Sequence, residues 1–76
     1  MEQFLDAVVR GLCQQPGRVR VSVDEAGDEL RYEVKLAASD RGRVLGRGGR
    51  TADALRTLVE AAARARGKRA TLEIQA

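Results

Sequence analysis

The chain has 76 residues, of which 43% are hydrophobic and 33% charged, with a formal net charge of +3. That length makes one domain spanning residues 1–76, near the lower limit for folding alone, and the apolar share supports a packed core rather than disorder. With no histidine and one cysteine, the chain has no transition-metal cluster, no Ser-His nucleophile and no internal disulfide, so neither an enzyme nor a metal or cofactor site is expected.

In chain order, "FLDAVVRGLCQ" sets Phe4, Leu5, Val8, Val9 and Leu12 at helical spacing, as one apolar stripe that Pro16-Gly17 brings to an end. Cys13 falls on this stretch and is expected to pack at the core or its boundary. "RVRVSV" alternates strictly, with Val19, Val21 and Val23 on one face. The turn "DEAGDE" (24–29) follows, and then "LRYEVKL", with Leu30, Tyr32, Val34 and Leu36 aligned, so the pair reads as a β-hairpin. Ser39 or Asp40 is placed to cap a short helix over about 40–45, which stops at Gly46. A longer helix runs from near Arg50 to about Arg66, with Leu55, Leu58, Val59 and Ala62 as its core stripe and Glu60–Arg64 as a favourable i,i+4 pair. Gly67 ends it, and "ATLEI" supplies a last strand with Ala70, Leu72 and Ile74 on one face.

The order α-β-β-α-α-β predicts an α+β fold. A helical crossover returns the third strand parallel to the second, giving sheet order 1-2-3 with three helices on one face and a wet face opposite. No apolar run approaches the ~18 residues of a membrane helix. The N-terminus carries Glu2 and Asp6 where a secretory leader would be basic. A cytoplasmic setting is therefore expected, with no membrane partner.

Charge is unevenly spread. Residues 1–38 hold five basic and seven acidic side chains, and residues 39–76 hold nine basic and four acidic. The basic half surrounds "RGRVLGRGGR" (41–50), which has four arginines, four glycines and no acidic residue. Such a half favours an anionic partner. The glycines at 46, 48 and 49 join two helices, and three in four residues exceed what a helix corner needs. The first N–H groups of the helix after them lack intrahelical partners and carry the positive end of its dipole, so a phosphate is stabilised there. Arg47 and Arg50 add charge-assisted contacts. Asp53, in the first turn of that helix, favours the helix but repels phosphate. Neither a Walker A loop nor G-x-G-x-x-G fits the register: no lysine follows a glycine in place, and the final glycine position holds Thr51.

"G-R-G-G" between two helices resembles the GXXG loop of KH domains, which clamps the backbone of single-stranded nucleotides. The extra N-terminal helix and strand match the type II, prokaryotic arrangement. More narrowly, "DRGRVLGRGGRTADALRTL" followed by "ARGKRATLEI" resembles the small bacterial KhpA (YlqC-like) family of RNA-binding proteins across nearly the whole chain. The resemblance implies a type II KH-like fold, single-stranded RNA as partner, and a role as RNA chaperone or post-transcriptional regulator. It also implies Gly46, Arg47, Gly48 and Gly49 as the clamp, flanked by Arg43 and Arg50, with Val44 and Leu45 as an apolar floor for bases. Gly48 departs from the polar residue the family often carries there.

Phe4 and Tyr32 fall on core stripes, so stacking on exposed aromatic rings is not the expected mode of base binding. A single short groove binds weakly, so a second module is expected; the resemblance implies that it comes from a homodimer or a complex with a larger KH-containing protein. Two other readings remain open from the sequence: a protein-interaction adapter with weak nucleic-acid binding, and a single-stranded DNA binder. The basic run Arg64, Arg66, Lys68 and Arg69 suits a helix C-terminus as well as it suits RNA.

Overall fold

The computed structural model describes residues 1–75. Its elements are α1 (Glu2–Leu12), β1 (Arg20–Ala26), β2 (Glu29–Lys35), α2 (Arg41–Leu45), α3 (Arg50–Ala65) and β3 (Arg69–Gln75). Short 3₁₀ turns at Pro16–Arg18, Ala38–Asp40 and Arg47–Gly49 link them. The three strands form one mixed sheet in the order β1-β2-β3, antiparallel then parallel. The expected α+β architecture is therefore present, with a KH-like arrangement of three helices on a three-stranded sheet.

β2 is the centre of the core. Its inward residues Leu30, Tyr32 and Val34 are buried, and they lie level with Ala70, Leu72 and Ile74 of β3. Tyr32 is thus a core ring, as expected. Leu5 and Val9 of α1, Val44 of α2, and Leu55, Val59 and Ala63 of α3 close over this row. Each such leucine or valine side chain contributes about 1.5–3 kcal/mol when removed from water. Cys13 is half-buried and packs against the cluster; burial first, and the nearby Asp40 carboxylate second, push its thiol pKa up.

Several expectations are corrected at the edges. Phe4 is 52% exposed and Leu58 47%, so neither belongs to the core. Their places on the apolar stripes are flanking ones, and the sheet takes up the stripe centres. Ala52 and Ala63 are buried beside Leu55 and Val59 instead. β1 begins at Arg20, not Arg18, because residues 16–18 wind into a 3₁₀ turn. Arg10 holds that turn: it pairs with Asp6 at 2.9 Å and donates to the carbonyl oxygens of Pro16 and Val19. Val19 is fully buried, whereas Val23, on the sheet edge, is exposed. The hairpin is also tighter than the sequence suggests, since Ala26 pairs with Glu29 and leaves a two-residue turn.

α3 ends in a Schellman arrangement. The N–H of Lys68 donates to the Ala63 carbonyl at 2.8 Å, and that of Gly67 to Arg64 at 2.9 Å. The following residues are tied to the hairpin. Lys68 pairs with Glu25, whose carboxyl is held below its ordinary pKa chiefly by that hydrogen bond, and Arg69 lies 3.6 Å from Asp28. The expected Glu60–Arg64 ion pair is not formed; α3 carries Asp53–Arg56 at 2.9 Å instead. An exposed i,i+4 pair contributes only tenths of a kcal/mol, too little to fix two long side chains.

Candidate nucleic-acid interface

The basic, glycine-rich stretch folds into a corner. α2 is closed by the Gly46 N–H donating to Gly42 at 2.9 Å, and the corner by Gly49 N–H donating to Gly46 at 3.0 Å. Gly46 adopts φ 76°, ψ 173°, a region open essentially to glycine alone. A Cβ there would collide with both the backbone and the side chain of Thr51, so its missing side chain is what lets α3 pack against the end of α2. Gly48 and Gly49 also have positive φ, but nothing lies within 4 Å of where their Cβ atoms would be. The bare backbone at 48–49 therefore faces open space, while that at 46 is filled by Thr51.

α3 starts directly from this corner. Gly49 occupies its N-cap position and has no side chain to cap the helix; the Arg50 N–H turns back to the Arg47 carbonyl, so the later N–H groups of the first turn and the dipole of a 16-residue helix are what the corner offers an anion. Arg47 and Arg50 are exposed and have no ion-pair partner among the described residues. Asp53 is engaged by Arg56 on the next turn, which offsets the repulsion it would exert on a phosphate. Of the two apolar residues expected to floor the groove, Val44 is sealed in the core with no exposed surface, and only Leu45 presents any.

Asp40 has a different task from the one its position suggests. It stands in αR geometry at the end of a 3₁₀ turn and makes no capping bond to α2. Its carboxylate instead accepts the backbone N–H groups of Gln14 and Gln15, each at 3.0 Å, and lies 3.5 Å from Arg43 Nε. With 1% exposure it is the one buried charged residue among those described. The Gln14 hydrogen bond, more than any other influence, holds its pKa down. The bolt between the end of α1 and the start of α2 was hidden in the sequence, where an Asp before a helix reads as a cap. Thr51 was equally silent.

A mixed β1-β2-β3 sheet backed by three helices, with an uncapped glycine corner between the last two, defines a KH-type domain in its prokaryotic arrangement. Residues 2–74 match the family described as KhpA/KhpB, KH domain, and the chain belongs to that family. It is 38% identical to the RNA-binding protein KhpA of Clostridium acetobutylicum, over 97% of this chain and 99% of that one. To the proteins of the same name from Listeria monocytogenes and Halalkalibacterium halodurans it is 36% and 38% identical, over 97% of each chain.

Proposed function

We propose that this chain, as one KH unit, binds single-stranded RNA without catalysis, gripping a backbone phosphate at Gly46-Arg47-Gly48-Gly49. The observation that carries the reading is the open, uncapped start of α3 at Gly48 and Gly49, flanked by the unpaired Arg47 and Arg50. Relatives across nearly the whole chain are named RNA-binding proteins, which supports it. Arg43 flanks the site from α2, and Leu45 offers apolar contact to a base. Such binding suits an RNA chaperone or post-transcriptional regulator in the cytoplasm. Among the described residues no helix is long and apolar enough to cross a membrane. The test replaces Arg47 and Gly48 together with Asp. The circular dichroism spectrum should stay as it was while retention of short single-stranded RNA is lost; undiminished retention overturns the clamp.

Weak binding by one short groove calls for a second module, and we place self-association on the helical layer. Met1, Phe4 and Leu58 are exposed there, and Met1 shares with Ala62, Ala63 and Arg66 a small cavity floored by Leu30 and Tyr32. A second copy covering this apolar face would set two clamps on one strand.

A further inference from the structure

The C-terminal end of α3 and the first residues of β3 enclose a cavity of about 370 Å³, lined by Glu29, Glu60, Arg64, Arg69, Ala70 and Thr71. Within it lies an unmade ion pair. Glu60 and Arg64 stand at i,i+4 in the favourable orientation, yet they do not approach within 4.0 Å, and neither has another ion-pair partner among the described residues. The other charged groups already have partners, Glu29 in Arg31 at 3.3 Å and Arg69 in Asp28 at 3.6 Å. A carboxylate with both oxygens open and a guanidinium with its donors open thus border the same space.

We propose that this cavity is a guanine-reading subsite for the RNA strand held at the glycine corner; the proposal rests on the single-stranded RNA reading above. Two carboxylates on the wall make it a poor place for another phosphate. A nucleobase, in contrast, needs both donors and acceptors. Guanine alone presents two adjacent donors, N2–H and N1–H, followed by two adjacent acceptors, O6 and N7. A carboxylate accepts the first two, and a guanidinium donates to the second two. Adenine, cytosine and uracil lack the paired donors. The exposed guanidinium of Arg69 offers a planar surface for the ring face in a chain without exposed aromatic stacking residues along this edge. From Arg50 to Arg64 the helix axis advances about 21 Å, so a strand gripped at its start reaches the cavity a few nucleotides further on.

The test compares labelled oligouridine with the same oligomer carrying one guanosine, walked along its length, titrated against the whole chain. At one position guanosine should tighten binding about tenfold. Inosine, which lacks the N2 amine, should lose most of that gain. Glu60→Gln, which offers one acceptor and one donor, should abolish the preference, and Arg64→Gln should do the same, the preference being read in each variant as the ratio of its two affinities because a lost charge shifts both oligomers together. Both positions are on the surface of α3, and circular dichroism checks the fold. Equal affinity for both oligomers, or a preference that survives both substitutions, overturns the subsite and leaves the clamp standing. Failure of every oligomer to bind overturns both.

Discussion

The Asp40 carboxylate accepts the Gln14 backbone N–H at 3.0 Å, joining residues 26 positions apart where α1 meets α2. A second bond to Gln15 completes a two-pronged anchor, with Cys13 and Arg43 as the titratable and charged neighbours. These bonds favour the ionised form and hold the pKa below its ordinary value of 3.8. A carboxyl lowered in this way stabilises the fold fully above its unfolded pKa, and the contribution drains away as the pH falls through the lower folded value. Asp40→Asn keeps the shape but turns an amide donor toward one of the two N–H groups. It should melt several degrees below the parent at neutral pH, and the gap should narrow below about pH 4, where the carboxyl of the unfolded parent takes up a proton before the folded one does. A gap that stays constant through this range would contradict the anchor.

Gly46 and Gly48 make a second, separable prediction. Gly46→Ala meets both a backbone region closed to alanine and the body of Thr51, and should cost about 3 kcal/mol in chemical denaturation. Gly48→Ala meets open space and bears only the left-handed backbone penalty, about 1 kcal/mol. Equal losses at the two positions would show that the corner is not packed as described.

Salt should reveal how many phosphates are held. For a single strand the logarithm of the affinity should fall against the logarithm of salt concentration with a slope of about −0.7 per neutralised phosphate. Arg50→Gln should weaken binding to all sequences alike and flatten the slope by about 0.7. An unchanged slope would remove Arg50 from the interface.

If a second copy covers the exposed helical face, Phe4→Glu and Leu58→Glu should each convert the protein to a monomer in sedimentation equilibrium. Their melting temperatures should stay close to that of the isolated parent subunit, because both side chains are about half exposed already. A parent that is monomeric at high concentration would exclude self-association and leave the face to a larger partner.

The strands and their order are legible because the period-2 pattern of Leu30, Tyr32 and Val34, and of Ala70 and Leu72, matches burial directly, and a long helical crossover favours parallel return. The corner is legible from its glycines. Periodicity does not reveal which part of an apolar stripe becomes its flank: Phe4 and Leu58 sit at proper helical spacing, and only the position of the sheet leaves them uncovered. Nor could spacing show that the Asp40 carboxylate turns backward to Gln14, since this partnership depends on where two distant elements meet. Surface pairing failed for a related reason. Lys68 and Arg69 find Glu25 and Asp28 across the fold, while Glu60 and Arg64, neighbours on one helix, do not pair.

The pairing of β2 with β3 fixes the tempo at which this molecule assembles. β1 and β2 meet across a two-residue turn, a local event completed in about 1–10 μs. Leu30, however, must wait for Ala70, and the loop that closes between them carries α2, the corner and α3. Because such remote contacts are won only after the intervening chain has been ordered, folding should be slow for so small a protein.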